Sequence, residues 1–174
     1  MTSGPTSDRA REGLFSTLES IRGTLAGARV LDLYAGSGAV GLEALSRGAA
    51  HALLVEADPR ALRVLRANIT SLALPGAELS HGQVDRLVSG PPGGDRYDLV
   101  YADPPYAIGD PEVAAVLSAL REHGWLAPAA LIVIERSGRG GDFGWPAGYV
   151  PDRARRYGEA MLWYELVITS PDGT

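Results

Sequence analysis

Apolar residues recur along this chain in two rhythms, short continuous runs and longer amphipathic stretches, and their order predicts the architecture. Residues 8 to 22 place Leu14, Leu18 and Ile21 on one helical face, with Asp8 able to cap the start. Residues 28 to 34, Ala-Arg-Val-Leu-Asp-Leu-Tyr, read as a first strand, followed by a glycine turn and a helix through Arg47. Ala52 to Val55 is the second apolar run. Asp58-Pro59 then opens a helix as N-cap and N1, with Leu62, Leu65, Ile69 and Leu72 as its buried stripe. Glu78 to His81 is a short third strand, Ser89 to Arg96 a Gly/Pro-rich surface loop, and Tyr97 to Ala102 a fourth, buried strand. Asp110-Pro111 starts another helix by the same device, with Val113, Val116, Leu117 and Leu120 facing inward and an end near Gly124. Leu131 to Glu135 is the fifth strand. Ser137 to Gly148, Gly-rich with Phe143 and Trp145, reads as a surface connection or as the border of a substrate surface. Arg155 to Tyr157 and Met161 to Thr169 are separated only by Gly158-Glu159 and predict an antiparallel hairpin. Right-handed crossovers between the first five strands then give an α/β fold, a mostly parallel seven-stranded sheet with helices on both faces and a C-terminal antiparallel hairpin.

Composition narrows this picture. A length of 174 residues with 45 % hydrophobic content suits one domain with one core, and neither a composition break nor an internal repeat suggests two. The absence of cysteine excludes disulfides and thiolate metal sites, and His51, His81 and His123 lack metal-ligand spacing, so no structural metal is expected. Met1 to Arg11 is polar, without the apolar centre of a signal peptide, and no stretch is long enough to span a membrane; a cytoplasmic protein is expected. A formal net charge of −5 argues against gripping nucleic acid by bulk electrostatics, so a polyanion must meet a local patch. All sixteen basic residues are arginine, which excludes a Walker A loop, since that loop needs its lysine.

Candidate chemistry gathers where strands end. Gly36, Gly38 and Gly41 fit G-x-G-x-x-G, with Glu56 near the distance at which a ribose-binding acid is expected, and taken literally this predicts an NAD enzyme. Asp32, four residues before Gly36, opposes that reading, because a carboxylate there repels a pyrophosphate and attracts an ammonium group. S-adenosylmethionine satisfies both halves: Asp32 receives its ammonium, the glycine turn allows close backbone approach, Glu56 accepts the ribose hydroxyls and the helix N-terminus favours its carboxylate. Gln83, in Gly82-Gln83-Val84 at the end of the third strand, reaches an adenine edge or is an ordinary surface residue. Asp103-Pro104-Pro105-Tyr106 ends the fourth strand. Two prolines remove two N–H donors and hold the residues before them extended, leaving the Asp103 carboxylate and the Pro104 carbonyl as acceptors for an amino group, beside an aromatic face on which a flat base stacks. A strand ending in a plain Pro-Pro turn is the bland alternative.

Asp32-Leu33-Tyr34-Ala35-Gly36-Ser37-Gly38 together with Asp103-Pro104-Pro105-Tyr106 resembles the class I S-adenosylmethionine-dependent amino-methyltransferases, whose nucleophile is a planar amino or amide nitrogen. Pro5-Thr6-Ser7-Asp8-Arg9-Ala10-Arg11-Glu12-Gly13-Leu14-Phe15 and Gly41-Leu42-Glu43-Ala44-Leu45-Ser46-Arg47-Gly48-Ala49 are similar, more specifically, to the bacterial 16S ribosomal RNA guanine-N2 methyltransferases, the rRNA small subunit methyltransferase D family; the similarity covers roughly residues 5 to 169. It implies a Rossmann-like methyltransferase fold, S-adenosylmethionine as cofactor and a monomer that methylates one guanine of 16S ribosomal RNA in assembled or partly assembled small subunits. The expected cofactor site is Asp32, Tyr34, Ala35, Gly36, Ser37, Gly38, Glu56, Ala57, Gln83, Val84 and Asp103. The expected catalytic residues are Asp103, Pro104 and Tyr106, with Arg9, Arg11, Pro105 and Tyr106 on the substrate side and either arginine meeting phosphate or the methionine carboxylate. Members of the family usually carry a basic β-hairpin ahead of Pro-Thr-x-Asp-Arg, whereas four residues precede Pro5, so the expectation is a catalytic domain without that hairpin. The rivals are a methyltransferase for DNA adenine N6 or for protein glutamine N5, whose members more often show Asn in the place of Asp103, a nicotinamide oxidoreductase, and a non-catalytic RNA-binding module.

Overall fold

The computed structural model describes residues 8–137, 141–158 and 160–167. Pro5-Thr6-Ser7, part of the Gly-rich connection, Glu159 and the end of the last predicted strand lie outside them. The elements run α1 (Asp8–Arg22), β1 (Arg29–Leu33), α2 (Ala39–Ser46), β2 (His51–Glu56), α3 (Pro59–Leu72), β3 (Ala77–His81), α4 (Val84–Val88), β4 (Tyr97–Ala102), α5 (Asp110–Glu122), β5 (Leu126–Ser137), β6 (Tyr149–Tyr157) and β7 (Ala160–Val167). They build one seven-stranded sheet in the order β3-β2-β1-β4-β5-β7-β6. The strands from β1 to β5 pair in parallel, and β7 runs antiparallel to both β5 and β6. The chain goes outward from β1 to β3 and returns to place β4 on the other side of β1. That reversal opens a crevice at the carboxyl ends of β1 and β4, where parallel sheets bind ligands.

Both faces of the sheet are covered, so the inner strands read as continuous apolar runs. On one face Leu31, Leu33, Val100, Ile132 and Ile134 pack against Val84 and Val88 of α4 and Val113, Leu117 and Leu120 of α5. On the other, Val30, Leu54, Leu99 and Val133 pack against Leu14, Phe15 and Leu18 of α1 and Leu65 of α3.

Several local features differ from the sequence pattern. Residues 84–88 form the short helix α4 just ahead of the predicted loop. Strand β5 starts five residues earlier than predicted, because Pro128 and Ala129, with φ 59° at Ala129, bulge outward between the Tyr97–Leu126 and Leu99–Leu131 pairs. Strand β6 starts at Tyr149 rather than Arg155; as an edge strand it is exposed over most of its length and carries no apolar alternation. Asp110 does not cap α5. Gly109 holds the N-cap position, and the Asp110 carboxylate instead forms an ion pair with Arg136 Nη2 at 3.0 Å. Leu72, predicted in the stripe of α3, is 54 % exposed in the last turn of that helix. Phe143 is buried and meets Trp145 edge-on, and Trp145 lies against Tyr149, whose hydroxyl donates to the Leu117 carbonyl at 2.5 Å. These aromatics of the Gly-rich connection belong to the core beneath α5 rather than to an open surface.

Candidate active site

The turn after β1 requires its glycines for geometric reasons. Gly38, the N-cap of α2, has φ 81°, and a Cβ there would lie 2.4 Å from Leu65 Cδ1. The left-handed φ favours glycine, and any side chain would force Leu65 of α3 to shift. At Gly41 a Cβ would lie 2.6 Å from Leu54 Cδ2 and 3.1 Å from Asp32 Oδ2, so α2 is held directly over β1. The Ser37 carbonyl accepts from Asn68 Nδ2 at 2.8 Å, tying the turn to the middle of α3. Gly36, by contrast, with φ 58°, faces open space.

Two carboxylates bracket this turn. Asp32 is 1 % exposed, and its Oδ2 accepts from the Gly41 N–H at 2.9 Å. Burial pushes its pKa well up against the opposing effect of that N–H, and the negative charges of Asp103 and Glu56 add to the rise. Glu56, the last residue of β2, accepts from the Gly36 N–H at 2.8 Å through Oε1 and from the Ala57 and Asp58 N–H groups at 2.9 and 2.8 Å through Oε2. One carboxylate thereby couples the ends of β1 and β2. Tyr34 leaves β1 with φ 59° and is half-buried on the α5 side, where burial and the charges of Asp85 and Glu112, against Arg136, push its phenol up to about 12. Gln83 is exposed at the end of β3 as the N-cap residue of α4, and Val84 behind it is buried.

Asp103 follows β4 on the side of the sheet shared by Tyr101 and Asp32. The pair Asp32–Tyr101 is in register across β1 and β4, and the Asp103 N–H donates to the Leu33 carbonyl at 3.5 Å. Burial and the neighbouring Glu135 push the Asp103 carboxyl up to about 7, and Arg136 draws it down. Pro104 is buried and Pro105 exposed. Tyr106 is 85 % exposed, an aromatic ring offered to solvent directly beyond the acidic site. The sheet thus brings Asp32, Tyr34, the glycine turn, Glu56 and Asp103 to one crevice. Gln83 and Val84 sit at its β3 end and Tyr106 at its rim.

Three further residues complete the surroundings. The Tyr101 hydroxyl donates to Glu135 Oε2, and Arg136 Nη2 donates to the Ile108 carbonyl at 2.9 Å and forms an ion pair with Asp110. Ile108 in turn donates its N–H to the Pro105 carbonyl at 2.9 Å. Arg136 therefore holds the segment that carries Tyr106. The signal for this pair in the sequence is a charged dipeptide, Glu135-Arg136, at the end of an apolar run that finishes level with Asp103. Arg11 is engaged elsewhere, donating from Nε to Glu43 at 2.9 Å and from Nη2 to Asp8 at 2.8 Å, and Arg47 joins Glu43 and Glu19 in the same α1–α2 network. Arg9 is exposed on the first turn of α1. Among the described residues no group of three or more His, Asp and Glu side chains is arranged to hold a metal ion, and no helix is long and apolar enough to cross a membrane.

Residues 1–165 match the family described as Conserved hypothetical protein 95. The ribosomal RNA small subunit methyltransferase D of Escherichia coli (strain K12) is 38 % identical over 131 residues, 75 % of this chain and 63 % of that relative, so the match spans less than two thirds of the relative's length. The solved structure of yhhF from Escherichia coli superposes with a TM-score of 0.83 at 31 % identity, covering 96 % of this chain and 90 % of that one. An RNA methyltransferase from Salinibacter ruber, solved in complex with S-adenosyl-L-homocysteine, has a TM-score of 0.70 over 96 % of this chain and 95 % of that one; at 15 % identity the likeness is one of fold.

Proposed function

Since the chain belongs to the Conserved hypothetical protein 95 family and has the class I methyltransferase fold, we propose that it transfers a methyl group from S-adenosylmethionine to 16S ribosomal RNA of the small subunit, at the exocyclic N2 of a guanine. The observation that carries this reading is the adjacency of β1 and β4, which sets Asp103-Pro104-Pro105-Tyr106 beside the glycine turn. The relative named as a ribosomal RNA small subunit methyltransferase supports the substrate class. The protein acts as a cytoplasmic monomer on assembled or partly assembled subunits.

The residues present fit the cofactor. Asp103, just past the end of β4, lies close enough to Asp32 on the neighbouring strand that its negative charge raises the cost of charging Asp32. A ligand with an ammonium and a sulfonium group relieves that repulsion, whereas a pyrophosphate increases it. Gly36 opens onto free space beside Glu56, which suits the ribose hydroxyls. The backbone of Tyr34, Ala35, Ser37 and Gly38 lines the turn, with Ala57, Gln83 and Val84 toward the adenine end. When bound, S-adenosylmethionine supplies an activated methyl group.

The chain's own residues do the rest by positioning and electrostatics. A guanine amino nitrogen is a weak nucleophile because its lone pair is delocalised into the ring. Asp103 and the Pro104 carbonyl accept its two N–H groups, which favours the pyramidal nitrogen and frees the lone pair. Pro105 offers no competing donor. Tyr106 stacks on the extruded base, and Asp103 takes the leaving proton. Arg9 meets a flanking phosphate. The test is methyl transfer to small subunits, duplex DNA and release factors, followed by nucleoside and peptide analysis. N2-methylguanosine in 16S RNA is the expected product; N6-methyladenine in DNA or N5-methylglutamine would overturn the assignment.

A further inference from the structure

Helix α3 carries the least compensated charge among the described helices. Its sequence, PRALRVLRANITSL, holds Arg60, Arg63 and Arg66 and no acidic residue, in a chain whose formal net charge is −5. The three-residue spacing winds these arginines along one side of the helix, over about 9 Å at 1.5 Å per residue. All three are exposed, as are Val64 and Ala67 between and beside them.

Five arginines elsewhere are matched by acids, Arg11 and Arg47 by Glu43, Arg22 by Asp98, Arg136 by Asp110 and Arg153 by Asp152, whereas among the described residues Arg155 and Arg156 on β6 donate only to backbone carbonyls. Arg60, Arg63 and Arg66 make no ion pair or side-chain hydrogen bond among the described residues. The acids just upstream do not reach them, because Glu56 is turned onto the N–H groups of Gly36, Ala57 and Asp58, and Asp58 caps the helix through the Ala61 N–H at 3.2 Å. A merely solvated face would mix signs, since like charges a turn apart weaken a helix. Helix α3 begins three residues after Glu56, and Asn68 fastens it to the glycine turn, so the arginines lead away from the edge of the crevice.

We propose that Arg60, Arg63 and Arg66 form a contact surface for the phosphate backbone of the RNA substrate. This rests on the RNA reading above and extends it. The surface reconciles an acidic protein with a polyanionic partner, because a local row of cations draws the strand across α3 while the remaining negative surface is left outside the contact. Sequence is not read here; the row sets register and affinity, and the crevice selects the base.

The test compares the full chain with an Arg60→Gln, Arg63→Gln, Arg66→Gln triple variant and with the corresponding triple Lys variant. Binding to isolated small ribosomal subunits and to protein-free 16S RNA is measured between 50 and 200 mM salt, roughly the range over which phosphate contacts are lost, together with S-adenosylhomocysteine affinity. The Gln variant should bind both RNAs at least about 10-fold more weakly at the low-salt end, with a log–log salt slope shallower by about 2 to 3, from roughly 0.7 to 0.9 per phosphate contact. Its cofactor affinity should be unchanged, and the Lys variant should keep the slope. Unchanged affinity and slope in the Gln variant would overturn the proposal. So would a loss seen on subunits but not on protein-free RNA, which would assign the surface to an acidic ribosomal protein. A wild-type chain that binds RNA through these arginines yet transfers no methyl group to it would refute the activity while leaving the contact surface standing.

Discussion

Asp103 illustrates how a residue acquires its role from its neighbours. Its carboxyl titrates at about 7 because burial and Glu135 oppose its charge more strongly than Arg136 favours it. Below that value it is neutral and, in the proposed reaction, loses an acceptor position for the amino group. Methyl transfer measured as kcat/KM, which reports the free enzyme, should therefore rise with pH through about 7 and then level off. Asp103→Asn should abolish this limb and lower kcat by about 10²- to 10³-fold, as when one positioned transition-state hydrogen-bond group is removed. A limb that survives in the Asn variant would assign the titration to another group. Arg136 acts on the same site from the next strand. Arg136→Gln should raise KM for RNA by freeing the Pro105–Asp110 segment, and should also move the pH midpoint upward, since the cation that draws Asp103 down is gone. Arg136→Lys should keep the midpoint nearer the wild type. A purely structural role for Arg136 would leave the midpoint in place in both variants. In the sequence Asp103 is legible from its two prolines, but Arg136 is not, because its partners Ile108 and Asp110 are 28 and 26 positions away and only the pairing of β4 with β5 brings them into reach.

At the scale of elements, the strands read best where both faces are buried and worst at the edge. Strands β1, β2 and β4 are near-continuous apolar runs, and their positions follow from the sequence. Strand β6 leaves Val150, Pro151, Arg155 and Arg156 exposed, so burial left no pattern to read. Strand β7 contains an anomaly with a measurable consequence. Glu165 is 0 % exposed, neither of its carboxylate oxygens has a hydrogen-bond partner among the described residues, and burial, reinforced by Asp152, pushes it up to about 8. The raised value fixes the sign: the folded chain keeps a proton that the unfolded chain releases near 4.5, so folding stability falls as pH rises from about 4.5 through about 8. Glu165→Gln should flatten the dependence of Tm on pH across that window. An equally steep dependence in the Gln variant would place the titration elsewhere.

For the whole molecule, the cofactor assignment becomes a question of which ligand stabilises the fold. At 100 times Kd a ligand specific for the native state contributes about 2.7 kcal/mol. For a chain of this size that amounts to roughly 5 to 10 °C in Tm. S-adenosylhomocysteine at that excess should produce such a shift, and NAD at the same concentration should produce none. Equal shifts would restore the nicotinamide reading of Gly36, Gly38 and Gly41. The discriminating group under the proposed reading is Asp32, buried near the carboxyl end of β1 against the Gly41 N–H.

Residues acting over a few positions determined what the sequence alone settles. Glycines at 36, 38 and 41 give a strand-to-helix turn, Asp58-Pro59 starts a helix, and Asp103-Pro104-Pro105 ends a strand, because backbone sterics and missing N–H donors operate locally. Tertiary structure decided the neighbours. That β4 lies beside β1, that Arg136 reaches Asp110, that Arg11 is taken up by Glu43 and that the arginines of α3 stay unpaired all depend on how seven strands are ordered to bury both faces of one sheet. Burial is a property of the assembled layers and leaves only periodicity in the chain, so partners distant in sequence are chosen by packing rather than written beside one another.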